Sequence, residues 1–183
     1  ASGLGSGGNI TFGGGTLQYG TGLNTDISSR IKNSGSAILI DTNSNNVTFA
    51  SNLGSTNSGG LTKNGTGTLI LGTDNTYTGT TTVNGGTLQL SGNISSSALT
   101  IGNGGIVSIG TTSAVAKYNA SSLTLQGGSG YAFTISNVNA SVAGTDYDQL
   151  TATGALTLSN TAASPFTVYL NGTPTGWSNT GNY

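Results

Sequence analysis

The sequence predicts an all-β fold wound as a parallel β-solenoid, one domain spanning residues 1–183. Three observations predict it. Short segments alternate apolar and polar side chains with period two, as in GGLTKNGTGTLILGTDNTYTGTTTVNGGTLQL at 59–90. Glycine and asparagine stand between those segments, where the chain must turn sharply, because both accept positive φ. Phrases also recur: GGGTLQY at 13–19 returns as NGGTLQL at 84–90, and ALTI at 98–101 returns as ALTL at 155–158.

The strand candidates run in order as Ile10–Phe12, Thr16–Tyr19, Ile38–Ile40, Val47–Phe49, Thr68–Leu71, Thr80–Val83 and Thr87–Leu90. They continue with Leu99–Ile101, Ile106–Ile109, Leu123–Gln126, Ala132–Ile135, Ala155–Leu158 and Phe166–Leu170. Each is rich in Thr and β-branched residues, which suit a pleated, half-buried surface. Only Ile27–Lys32 offers a turn of helix. Strands this short, with corners of Asn and Gly and almost no Pro, favour a solenoid over a sandwich or closed barrel. Coils of about 20 residues follow from the repeat spacing. Seven or eight coils at about 4.7 Å each would make a rod of roughly 35 Å. Leu69, Leu71, Val83, Leu88 and Leu90 should then point inward, with Thr, Ser, Gln and Asn outward.

Composition narrows the function classes. The chain holds 32 Gly and 2 Pro, and only 5% of its residues are charged, against about 25% in ordinary globular proteins. The net charge is −1, and Arg30 and Lys32 are the only neighbouring basic pair. Nucleic acid is therefore an unsuitable partner, because phosphate binding needs a basic patch. No apolar run approaches the roughly 18 residues of a membrane helix, so membrane insertion by a helix is not expected. The opening ASGLGSGG lacks the basic and apolar regions of a signal peptide, which suggests a mature protein or an excised fragment. Cys, His, Met and Glu are absent from the sequence, which removes disulfides, thiolate chemistry and Cys-based metal sites.

The segment 61–90 closely resembles the autotransporter-associated β-strand repeat, also called the passenger-associated transport repeat. The pattern has three parts. Leu61, Lys63, Gly65, Gly67, Leu69 and Leu71 form the start. Asn75, Tyr77 and Gly79 form the centre, and Val83, Gly86 and Leu88 the end. Thr80 departs from the second Gly often found there and should only stiffen the corner. GSGGNITFGGGTLQYG resembles a lead-in to such repeats, and the stretch at 143–159 resembles a trailing module, here bounded as 143–183. The resemblance implies a right-handed parallel β-helix, displayed on or released from a bacterial surface, with no catalytic residues. No membrane-spanning barrel of an autotransporter is expected within these 183 residues.

Several constellations invite chemistry. Asp146 and Asp148 are the only close carboxylate pair, and on a strand both would point to one face. A glycoside hydrolase needs such a pair, and a weak Ca²⁺ site is conceivable, but a solvated turn is the plainer reading. Ser and Thr abound without His to activate them, and Lys63 and Lys117 have no evident partner, so no enzyme chemistry is expected. The triplets Thr66-Gly-Thr68, Thr80-Thr-Thr82 and Thr151-Ala-Thr153 would bind ice only if stacked in register, and they are scattered. Sequons at Asn9, Asn46, Asn64, Asn93, Asn119, Asn139 and Asn171 leave surface glycosylation open. Tyr19, Tyr77, Tyr118, Tyr131, Tyr147, Tyr169, Tyr183 and Trp177 include either a sugar-stacking platform or caps for the core. A Lys–Asn crosslink would need a buried Lys beside an acid.

No catalytic, cofactor or metal residue is expected. The sequence points to an extracellular structural protein: a segment of a secreted passenger, or a subunit of a head-to-tail fibre whose open ends pair, the chain showing no obvious polar cap. The alternative is an adhesin-type module recognising a glycan or matrix component.

Overall fold

A computed structural model describes residues 4, 5, 7–111, 115–136 and 142–171. The chain opens with Thr16–Gln18 (β1), Ile38–Asp41 (β2), Asn46–Phe49 (β3), Leu61–Asn64 (β4) and Thr68–Leu71 (β5). Thr81–Val83 (β6), Gly86–Leu90 (β7), Ile94–Ile101 (β8), Gly105–Ile109 (β9) and Lys117–Gln126 (β10) follow. Gly130–Thr134 (β11), Gln149–Ala152 (β12), Leu156–Ser159 (β13) and Thr167–Asn171 (β14) complete the set. One 3₁₀ turn, Ser28–Arg30, lies within the expected Ile27–Lys32 stretch.

From β2 to β12, successive strands fall alternately into two sheets, while β1 and β13 join the same sheet as their neighbours β2 and β12. One runs β1-β2-β4-β6-β8-β10-β12, with β13 also on β10; the other runs β14-β11-β9-β7-β5-β3. Every strand-to-strand pairing is parallel. Each coil therefore stacks on the one before it, and the fold is a parallel β-solenoid. Along the first sheet Leu39, Thr62, Thr82, Thr100, Thr124 and Thr157 are successive partners, giving steps of 23, 20, 18, 24 and 33 residues. The expected coil of about 20 holds in the middle and fails at the end. There, ten-residue β10 carries two strands side by side, β12 on Lys117–Ala120 and β13 on Leu123–Gln126.

Alternation fixes the core. Ile38, Leu61, Thr81, Leu99, Leu123 and Leu156 form one inward column, and Ile40, Lys63, Val83, Ile101, Leu125 and Leu158 a second. The facing sheet adds Val47, Leu69, Leu88, Val107, Tyr131 and Val168, and beside them Phe49, Leu71, Leu90, Ile109, Phe133 and Leu170. The five residues expected to point inward are all fully buried. Each large aliphatic side chain so removed from water contributes about 1.5–3 kcal/mol.

Two strands escaped the sequence reading. β4 was hidden because Lys63 and Asn64 break its apolar appearance. β12 (QLTA) carries one large apolar residue. β8 and β10 extend beyond the expected Leu99–Ile101 and Leu123–Gln126 through ISSSA and KYNASS, whose serines and asparagines weaken the strand signal.

Candidate functional site

Two polar side chains stand in otherwise apolar inward columns. Lys63 lies between Ile40 and Val83, and Thr81 between Leu61 and Leu99. Both are fully buried. Buried polar groups are costly unless bonded, and each has a built environment.

Lys63 sits at the last inward position of β4, just before the corner Asn64-Gly65-Thr66-Gly67. Its Nζ donates to the carbonyl oxygens of Asn64 (2.9 Å), Gly65 (2.8 Å) and, from the next coil, Gly85 (3.0 Å). The three donors of an ammonium are thereby matched by three acceptors. Burial pulls its pKa from 10.5 down to about 8, and the nearby Asp41 carboxylate opposes the fall. The glycines make the cage possible. Gly65, Gly67 and Gly86 have φ of 68°, 86° and 61°. A Cβ on Gly86 would lie 2.4 Å from the Gly67 carbonyl oxygen and 3.0 Å from the Lys63 Nζ. The cage is thus two stacked glycine corners threaded by one cation. The expectation that Lys63 lacks a partner is corrected, and its Nζ is occupied by backbone carbonyls, with no carboxamide among its partners. Its parity with Leu61 was the signal in the sequence that it points inward.

Thr81 belongs to a buried chain of hydroxyls. The Tyr77 Oη lies 2.5 Å from the Thr81 Oγ1, which lies 2.7 Å from the Ser97 Oγ. Ser97 donates to the Gly79 carbonyl at 2.7 Å. A hydroxyl has one proton to give. With Ser97's proton on Gly79, Ser97 accepts from Thr81, and Thr81 accepts from Tyr77. Desolvation raises the Tyr77 pKa to about 12 against the opposing bonds to Thr81 and Ser97.

Asparagine and aspartate stitch the corners. Asn75 accepts from the Leu53 N–H at 2.9 Å and donates to the Thr73 carbonyl at 2.6 Å. Asn52 donates to the Asp74 carbonyl. One Asp74 carboxylate oxygen accepts both the N–H and the Nδ2 of Asn93, whose Oδ1 accepts both from Asn119. Sequon residues Asn93 and Asn119 are therefore ladder members, as is Asn64, which accepts from Asn84 at 3.0 Å. Asn9 and Asn46 are exposed, Asn171 ends β14, and Asn139 lies outside the described residues.

The carboxylate pair is corrected. Asp146 and Asp148 precede β12 and do not share a strand face. Asp146 accepts from the Val142 N–H at 2.9 Å. Asp148 is buried, and its two oxygens accept from the Ala116 and Thr134 N–H groups, each at 2.8 Å. Desolvation raises its pKa, and those two backbone bonds oppose the rise. It is a structural clamp, not a solvated turn residue.

The threonine triplets are not what aligns. Instead Thr62, Thr82, Thr100, Thr124 and Thr157 form one outward column, one per coil. The tyrosines divide. Tyr19 and Tyr77 are buried, and Tyr118 and Tyr131 pack against the core. Tyr169 is exposed, with its ring against Gly130. Trp177 and Tyr183 lie outside the described residues.

Residues 61–90 match the family model of the passenger-associated-transport-repeat. No curated protein and no solved structure gives a significant match. The residues that spell the repeat are those just described: Lys63 and its glycines make the cage, Asn75 and Tyr77 hold the far corner, and the leucines and Val83 fill the core. A Cβ on Gly79 would lie 2.3 Å from the Gly60 nitrogen, so this glycine lets two coils meet backbone to backbone.

Proposed function

Taking the passenger-associated-transport-repeat at residues 61–90 as premise, we propose that the chain is a structural section of a bacterial surface-displayed passenger. It acts as a stiff, nearly neutral rod. One observation carries this reading: inward columns, apolar but for Lys63 and Thr81, pass from coil to coil through two parallel sheets. Stiffness follows from hydrogen bonds between coils and polar ladders at the corners. Low charge leaves the sides without strong electrostatic attraction for other macromolecules.

The test is display. The chain is placed between a signal peptide and an autotransporter barrel, and the cell surface is probed with antibody and with added protease. The expected result is a surface-exposed, protease-resistant section. Retention in the periplasm, or rapid degradation once displayed, would overturn the reading. Binding to a glycan array by the same chain would favour the adhesin alternative.

A further inference from the structure

Four Asn-Gly pairs occur in the sequence: Asn64-Gly65, Asn84-Gly85, Asn103-Gly104 and Asn171-Gly172. Gly172 lies outside the described residues. An Asn-Gly pair carries its own electrophile and nucleophile. The electrophile is the side-chain carboxamide carbon. The nucleophile is the glycine nitrogen, whose approach no Cβ hinders. Ring closure between them needs the N–H to lose its proton and charge to gather on the carboxamide oxygen. The surroundings of each pair decide how readily both happen.

At Asn64-Gly65 donors for both are already in place. The Asn64 backbone carbonyl oxygen accepts from the Lys63 Nζ at 2.9 Å and from the Thr42 N–H at 3.4 Å. That oxygen belongs to the same peptide group as the Gly65 nitrogen. When the nitrogen loses its proton, amide resonance spreads the negative charge onto the oxygen, against a buried ammonium. The Asn64 Oδ1 accepts from the Asn84 Nδ2 at 3.0 Å, the distance at which a fixed donor stabilises a developing oxyanion. Among the described residues neither the Gly65 N–H nor the Asn64 Nδ2 donates to any group, so nucleophile and leaving group are not tied down. The other pairs differ. Exposed Asn84 has no donor on its backbone or side-chain oxygen among the described residues. At the third pair the Gly104 N–H is held by the Gly128 carbonyl at 3.0 Å.

We propose that Asn64 is a self-modifying site, converted to aspartate or isoaspartate through a succinimide whose closure Lys63 and Asn84 promote. The Gly65 nitrogen gives its proton to hydroxide and bonds to the Asn64 Cγ. The Cγ–Nδ2 bond breaks, and Nδ2 takes a proton from water and leaves as ammonia. Water then opens the ring at either carbonyl. One water is consumed for each ammonia released. The product adds a negative charge to a chain whose net charge is −1, one residue from the caged ammonium. Opening at the backbone carbonyl gives isoaspartate, which inserts a methylene into the corner. This chemistry is independent of the passenger reading, which surface display decides.

The experiment incubates the full 183-residue chain at neutral pH, folded and, in parallel, unfolded in guanidinium chloride. Digestion at acid pH and mass spectrometry then read carboxylate against amide at each asparagine. In the folded chain Asn64 should convert faster than Asn84 and Asn103, and faster than it does in the unfolded chain. Asn84→Ala, at an exposed site, removes the donor to Oδ1. It should slow Asn64 about tenfold in the folded chain, the worth of one hydrogen bond, and leave the unfolded rate unchanged. Lys63→Met should slow it likewise, and where that variant does not fold, Asn84→Ala carries the test. The proposal is overturned by an Asn64 that stays an amide when folded, or that converts no faster than in the unfolded chain. An unchanged folded rate in Asn84→Ala overturns it equally.

Discussion

The Nζ of Lys63 lies 3.0 Å from the carbonyl oxygen of Gly85, a residue of the next coil. Two coils already joined by strand pairing and by the Asn84–Asn64 bond are thereby also pinned through a buried cation at the corner. The pin requires both a cation at an inward position and glycines that let carbonyls converge on it.

Lys63→Met keeps the length of the side chain and removes its charge. The carbonyls of Asn64, Gly65 and Gly85 lose a charge-assisted partner while staying buried. Hydrogen bonds to charged groups contribute about 1.5–3 kcal/mol, and orphaned acceptors cost a similar amount. The expected loss is about 2–3 kcal/mol, read as a lower urea midpoint with the slope unchanged. An unchanged midpoint would show that the cage adds nothing to stability.

The same lysine gives the chain an unusual alkaline profile. Its pKa falls from 10.5 unfolded to about 8 folded. Between those values the unfolded chain holds the extra proton, so stability rises with pH. Tyr19, Tyr77 and Tyr131 act in the opposite direction. Burial lifts each from 10.0 to about 12, helped at Tyr19 by Asp26 and at Tyr131 by Asp148. Above pH 10 the folded chain holds the extra protons, and stability falls. Urea midpoints across pH 7 to 12 should therefore rise and then drop. Lys63→Met should abolish the rise and leave the drop.

Much of this was legible in the sequence where alternation was clean. Thr68–Leu71 was placed to the residue, because Leu69 and Leu71 flank a β-branched outward Ile70. The cage was readable in principle, since Lys63 shares parity with Leu61, but a charged residue in an inward phase argues against a strand until its acceptors are known. Two of those acceptors, Asn64 and Gly65, are local, but the third, Gly85, is brought in by coil register, which a single sequence does not encode locally. Asp148 was misjudged for the same reason: its donors, Ala116 and Thr134, are distant in the chain.

The hydroxyl chain should behave as one unit. Thr81→Val leaves Tyr77 without an acceptor and Ser97 without a donor, both in the core. Each such loss costs about 1–3 kcal/mol. Tyr77→Phe and Ser97→Ala remove those stranded groups. The triple variant should therefore be clearly more stable than the sum of the single changes, with a coupling of about 0.5–3 kcal/mol between neighbours. Additive effects in a mutant cycle would show that the three hydroxyls are not bonded in series.

Ser129 presents the opposite case. It follows Gly86 and Gly105 in one column, since Gly86 pairs with Gly105 and the next residues, Ile106 and Gly130, pair in turn. Where its predecessors have no side chain, Ser129 places a hydroxyl at 1% exposure. Its Oγ is buried without a hydrogen-bond partner among the described residues. Ser129→Ala keeps the Cβ and removes the orphan, whose desolvation costs about 1–3 kcal/mol. The backbone here is not left-handed, so Ala fits without strain. This substitution should raise the urea midpoint, against the usual trend that buried substitutions destabilise. A lowered midpoint would mean that the hydroxyl is bonded in solution, to an ordered water at this corner.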